Sequence, residues 1–195
     1  SLTQTYTGNV TLGAGATLSG TTVTFNGTVA GAGNSLGITG NAVFGNGAGD
    51  TVANVTTLTV SGTTTINTTN ITTTTGGQTY TLGVTLGTGV TFTGNAGTVV
   101  RFANTVAGAG VARSLTVATA DARFDGAVNG NVASVWVDGT TAAYTGTITT
   151  TGSQNYVGAS TLGCSRRYSQ ASVPSSPAWQ MRGLTNNGSS SVVVL

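Results

Sequence analysis

The chain contains no histidine, no lysine and no glutamate, and its charge rests on six Arg and four Asp in 195 residues. A Ser, Thr or Cys nucleophile needs a His or Lys beside it as base, so nucleophilic catalysis of that kind has no partner here. Charged residues make up 5% of the chain against roughly 25% in an ordinary domain. The arginines form no basic run and no aromatic-basic interleaving, which sets nucleic acid aside as a partner. The single cysteine, Cys164, excludes an internal disulfide and, without histidine, a zinc site. Scarce cysteine also fits export across a bacterial envelope in an unfolded state. No apolar run approaches about 18 residues, so no transmembrane segment is expected. No stretch carries the 3.6-residue period or the capping residues of a helix. Ser1 opens without a charged and then apolar leader, so the chain reads as a piece of a longer protein, its signal removed or lying upstream.

What is there is Gly, Thr, Val, Ala and Asn. Positive mean hydropathy and regular Val, Leu, Ile and Phe supply apolar surface to bury, so the chain is read as folded. Thr and Val favour strands because branched side chains fit a pleated surface, while Gly and Asn accept the positive φ of tight corners. Stretches such as Val10-Thr11-Leu12, Thr22-Val23-Thr24-Phe25, Leu58-Thr59-Val60, Val90-Thr91-Phe92-Thr93 and Val135-Trp136-Val137 place an apolar residue at every second position, as half-buried strands do.

The chain also repeats itself. "QTYTGNVTLGAGATLSG" from Gln4 and "QTYTLGVTLGTGVTFTG" from Gln78 share one plan. The copies stay aligned through "FNGTVAGAG" (25–33) and "FANTVAGAG" (102–110), and both close on "ITTTTGG" or "ITTTGS". Copies run over 4–77 and 78–153, with a partial third over 154–163. Short strands, dense Gly and Asn corners and a long repeat predict an all-β parallel β-helix, a β-solenoid over 1–163. Rungs of about 20 residues give three or four per long copy and about nine in all, a rod on the order of 45 Å long. Val, Leu, Ile and Phe are expected inside, with Thr, Asn and Ser outside. The recurring "TTTTGGQTY" string is read as a period mark where one coil hands over to the next.

Residues 164–195 abandon this plan and hold both prolines, Pro174 and Pro177, which cannot donate to a central ladder. Three readings stand for this segment. It is an irregular tail, or a cap in which Trp179, Met181 and Val192 to Val194 cover the open core, or a stretch from a shifted reading frame.

The units "TTTTGGQTYTLGVTLGTGVTFTG" and "LTVSGTTTINTTNITTTTGGQTY" resemble the repeats of filamentous haemagglutinin-type exoproteins, secreted by the two-partner route, and of autotransporter adhesins. The resemblance covers residues 1 to about 163 and is most specific in the string "TTTGGQTY-x-G-x-VTLG". It implies a right-handed parallel β-helix, an extracellular or bacterial cell-surface location, and adhesion or aggregation as the function. It also implies an outer-membrane transporter as partner during export. The family's N-terminal secretion domain with Asn-Pro motifs and its C-terminal membrane barrel are absent from these residues, so a shaft segment is expected. Its partners would be host or neighbouring-cell surface glycans or proteins, or further copies of itself. Tyr6, Tyr80 and Tyr156, each two residues after the recurring Gln, are the candidate contact residues, with a core or stacking role as the alternative.

Two other functions compete. A β-helical polysaccharide-active enzyme would need clustered carboxylates, and the best cluster is Asp121, Arg123 and Asp125, with Asp138 a rung later. A surface ion pair is the plainer reading, because the corresponding region of the first copy is Ala42-Val43-Phe44; no catalytic residue is assigned and the chain is not expected to be an enzyme. An ice-binding β-solenoid would use a dense Thr array, for which 63–75 is the richest run, although Tyr144 breaks its counterpart in the second copy. "GNGAGD" (45–50) lacks the tandem pattern of a calcium repeat, and "GAGNSLG" (31–37) lacks the Lys of a phosphate loop and is read as a corner. No cofactor or metal is assigned. Cys164 beside Arg166 and Arg167 is read as a free thiol, and the Asn-x-Thr/Ser triplets at Asn9, Asn26, Asn54 and Asn70 are expected by chance in so Asn- and Thr-rich a chain.

Overall fold

The computed structural model describes residues 2–143, 147–162, 169–170, 184–186 and 189–191. Among them every regular element is a strand. Apart from Leu184–Asn186 and Ser189–Ser191, the strands pair parallel with strands about a turn away along the chain, so the chain coils into a solenoid with three faces. Face A begins with Gln4–Tyr6 and returns through register partners Val23, Ala42, Thr64, Val84, Val106, Val128 and Ile148. Eight turns of 19 to 22 residues result, and Ser169–Gln170, paired parallel to Thr149–Thr150, starts a ninth on the same face. At about 4.8 Å per turn, eight turns span about 38 Å.

Face B stacks Val10–Thr11 under 29–30, 52–53, 70–72, 91–93, 115–117, 135–137 and 154–156. Face C stacks 16–19, 36–39, 58–60, 78–80, 100–102, 122–124, 141–143 and 160–162. The alternation legible in the sequence sets the inside. Val23, Phe25, Val52, Leu58, Val60, Phe92, Val117 and Val137 are buried, and the Thr between them point out, as the two-residue period of a strand requires.

Because turns stack in register, like lies on like. Tyr6, Phe25 and Phe44 form a column of parallel rings with centroids 5.2 and 5.7 Å apart. In the second copy Tyr80, Phe102 and Phe124 repeat it at 5.5 and 5.3 Å. Phe92 on face B meets the rings of Tyr80 and Phe102 edge-on, so two faces are tied through the core in the geometry aromatic quadrupoles favour.

The corners explain a second recurring string. In "VAGAG", a side chain on Gly31 would collide with the carbonyl oxygen of Asn54 in the next turn, and one on Gly108 with that of Asn131. Asn54 and Asn131 stand at φ of 54° and 66°, a left-handed bend that Asn tolerates better than most residues. Residues 31–35 thus make the corner from face B to face C in the second turn, while Leu36 and Gly37, read with them as a corner, already stand in the ladder of face C.

Of residues 164–195, three short strands are described. Ser189–Ser191 runs antiparallel to Leu184–Asn186 and also antiparallel to the last strand of face C, with Thr161 facing Ser191 and Leu162 facing Ser190. The parallel stack on that face therefore ends against a strand of opposite sense, which pairs an edge otherwise open to other chains. Cys164, Arg166, Arg167, both prolines, Trp179, Met181 and Val192 to Val194 lie outside the described residues, as does Tyr144.

Replacing Phe102, the centre of the second column, by Ala is expected to cost about 3–5 kcal/mol. Thr79→Ala, on the outward side of the neighbouring strand, is expected to change stability by no more than about 0.5 kcal/mol. Urea unfolding followed by circular dichroism checks both.

Candidate functional site

The string that recurs three times builds the same object three times. Gln and Tyr two residues apart in a strand point to the same side, and in all three copies that side is inward. The Tyr80 hydroxyl donates to Gln78 Oε1 at 2.9 Å, Tyr6 to Gln4 Oε1 at 3.1 Å, and Tyr156 to Gln154 Oε1 at 3.0 Å. The amide nitrogen then reaches across the corner. Gln78 Nε2 donates to the carbonyl of Ile71 at 3.2 Å, on the preceding face of its own turn, and to that of Thr93 at 3.0 Å, one turn further on. Gln154 Nε2 repeats the first bond with Ile148 at 3.2 Å, and Gln4 Nε2 repeats the second with Ser19 at 2.7 Å. In sequence terms, Ile-Thr-Thr-Thr forms the incoming strand, Thr and Gly the corner, and Gln-x-Tyr the outgoing strand that locks back on it.

Gln78 and Tyr80 are both fully buried. Burial pushes the Tyr80 hydroxyl well above its ordinary pKa of 10.0, since the phenolate would lose water with no cation to replace it. Tyr80 therefore presents no surface to a partner, and the expectation of a contact role fails there. Tyr6 and Tyr156 are half-buried and pack against the core. Nor do the three Tyr form one surface.

Gln4–Tyr6 lies on face A in the first turn, Gln78–Tyr80 on face C in the fourth, and Gln154–Tyr156 on face B in the eighth. Each sequence copy therefore spans eleven faces, two-thirds of a turn more than three turns. The string marks no fixed point in the coil, contrary to its reading as a handover mark. It is a corner clamp that visits each face in rotation, which works because all three corners pose the same problem.

The carboxylates also find structural employment. Asp121 Oδ1 accepts the backbone N–H of Thr140 at 2.8 Å, and its counterpart in the first copy, Asn41, accepts that of Thr63 at 2.9 Å. Asp50 Oδ2 closes the 45–50 loop by accepting the N–H groups of Asn46 and Gly47 at 3.0 and 3.1 Å. Asp138 accepts the indole N–H of Trp136. Asp125 bridges two arginines stacked in register on face C, with Arg101 Nε at 2.7 Å and Arg123 Nε at 2.8 Å. Partial burial pushes the Asp125 carboxyl up, but hydrogen bonds and charge from Arg123 and Arg101 outweigh it and hold its pKa below 3.8. The expected Asp121, Arg123 and Asp125 cluster thus divides into a corner bond and an ion triad. Among the described residues no group of three His, Cys, Asp or Glu side chains is placed to hold a metal, and no helix is long and apolar enough to cross a membrane.

No family model, curated protein or solved structure matches this chain. Its functional reading therefore rests on its own surfaces. The Thr run at 63–75 is divided by the coil: Thr64, Thr68 and Thr73 are buried, while Thr63 and Thr65 leave face A and Thr72 leaves face B. Sequence reasoning missed the outer surface of the second copy, where Arg101, Arg123, Trp136 and Asp138 stand at positions that the first copy fills with Thr24, Val43, Thr59 and Ser61. Aligning the copies position by position and marking where small residues give way to large ones would have found it.

Gln78→Ala is expected to destabilise by about 2–4 kcal/mol, because it strands the Tyr80 hydroxyl and two carbonyls, whereas Tyr80→Phe is expected to cost about 1 kcal/mol; denaturant unfolding separates the two. The Asp125 contribution has its own signature in pH. With its folded pKa lowered, the stabilisation is complete above the ordinary carboxylate value and is lost as pH falls through the lower folded value. Both arginine side chains are more than two-fifths exposed, so the effect is expected to stay below about 1 kcal/mol. Acid unfolding between pH 5 and 2 should be shallower in Asp125→Asn than in the wild type by that amount.

Proposed function

We propose that the chain is a shaft segment of a secreted or surface-exposed bacterial exoprotein, of the haemagglutinin or autotransporter type, that mediates adhesion or aggregation. The observation that carries this reading is the rotation of the repeat. A copy that spans eleven faces distributes equivalent outward residues over all three sides, as a rod touching partners all round would need, and each added copy adds length and one clamp. Outward Thr and Asn offer hydroxyl and amide groups to glycans, to proteins of host or neighbouring cells, or to identical rods. An outer-membrane transporter would serve export. Catalysis is not assigned, since each Asp among the described residues closes a corner, a loop or an ion pair, or anchors an indole.

One observation favours a second reading. On face A the outward residues Thr5, Thr24, Val43, Thr65, Thr85 and Ala107 lie in one register column, four Thr at spacings of about 4.8 Å or its multiples. A column of this kind could order water against ice, although Val43 and Ala107 interrupt its hydroxyls.

The chain displayed on beads is expected to aggregate them or bind cultured epithelial cells, and heat-unfolded protein is expected to do neither. Inert beads would overturn the adhesive reading. Thermal hysteresis that disappears in Thr24→Lys would favour the ice-binding one instead.

A further inference from the structure

The two long copies allow each outward position to be compared with its twin in the same chain. Where the first copy has Thr59 and Ser61, the second has Trp136 and Asp138. Thr59 and Trp136 lie on strands of the parallel ladder, face C in the third turn and face B in the seventh, and Ser61 and Asp138 stand in the bend just after each strand. A small polar residue therefore satisfies the fold at this position, and the indole answers no packing need. Trp136 is 45% exposed. Its indole N–H donates to Asp138 Oδ1, and that bond anchors the ring along the strand and lowers the rotamer freedom it would lose on binding.

Trp136 lies between polar neighbours. Thr116 is its register partner in the turn before and Asn155 in the turn after. Val157, whose N–H donates to the Val137 carbonyl at 2.9 Å, follows Asn155 and is 62% exposed. The surface thus combines a flat aromatic ring with a carboxylate, an amide, a hydroxyl and an exposed methyl pair.

We propose that Trp136, Asp138 and Asn155 form a saccharide-binding platform on face B that takes an uncharged pyranose ring of a glycan. The proposal rests on the adhesive reading and gives it a partner class. A pyranose presents C–H bonds on its ring face and hydroxyls at its rim. The first match the indole, and the second donate to the Asp138 carboxylate and exchange hydrogen bonds with the Asn155 amide. A sugar acid would be repelled by Asp138. A second copy laid on this face would desolvate the carboxylate, and Arg113, the cation that face B carries on the strand before, is half-buried at that strand's start. Arg101 and Arg123 stand on face C and are tied to Asp125.

The test is calorimetric titration of the full chain with hexaoses of glucose, mannose, galactose and N-acetylglucosamine, and with heparin as the charged probe. Binding of at least one neutral hexaose is expected, weakened at least about tenfold in Trp136→Thr and severalfold in Asp138→Ser. Both variants install the residue of the first copy, so strand circular dichroism and melting temperature should match the wild type. Neutral binding unchanged in Trp136→Thr would overturn this site while leaving glycan adhesion standing. Heparin binding alone would overturn it in favour of the arginine pair. Dimers in sedimentation that vanish in Trp136→Thr would overturn it in favour of self-pairing. Wild type that binds no probe yet still aggregates beads would sink the saccharide site alone, and inert beads as well would sink both readings.

Discussion

The register of one turn upon the next governs this molecule. Parallel backbone hydrogen bonds hold successive turns at a strand spacing of about 4.8 Å, so every side chain has a neighbour directly above and below it. An inward residue must match those neighbours in size and polarity, and an outward one must tolerate them. The ring columns of Tyr6, Phe25 and Phe44 and of Tyr80, Phe102 and Phe124 are what that constraint yields for aromatics. Gly31 and Gly108, each under the carbonyl of an Asn in the next turn, are what it yields at a corner.

The same constraint makes buried polarity expensive unless it is shared between turns. Gln78 is fully enclosed, yet its amide meets carbonyls from two successive turns and its oxygen meets the Tyr80 hydroxyl. Such a clamp works at any corner, because all three faces present the same ladder of carbonyls to the strand that follows. A sequence unit of eleven faces can therefore be repeated without returning to its starting face. Freedom from the turn period lets one repeat decorate every side of the rod.

On the outside the constraint relaxes, and there the copies diverge. Asn41 and Asp121 make equivalent bonds to the backbone of the following turn, so that exchange of amide for carboxylate leaves the corner as it was. Thr24 and Arg101, Val43 and Arg123, and Thr59 and Trp136 differ in a way the ladder does not demand. Divergence at outward positions between copies that agree inward separates what the coil requires from what its surface offers to partners.

The sequence by itself determined the coil. Alternation of apolar and polar residues, Gly and Asn at the corners, the absence of helical periodicity and the recurrence of Gln-x-Tyr were enough for an all-β parallel solenoid with Val, Leu, Ile and Phe inside. Only the tertiary structure decided the phase of the repeat, because turn lengths vary between 19 and 22 residues and a face cannot be assigned until the ladder is closed. For the same reason Tyr80 and its twins could be read as contacts as readily as core. A strand has two sides, and the side that faces inward at a given residue is set by the turns stacked on it, which lie some twenty residues away along the chain.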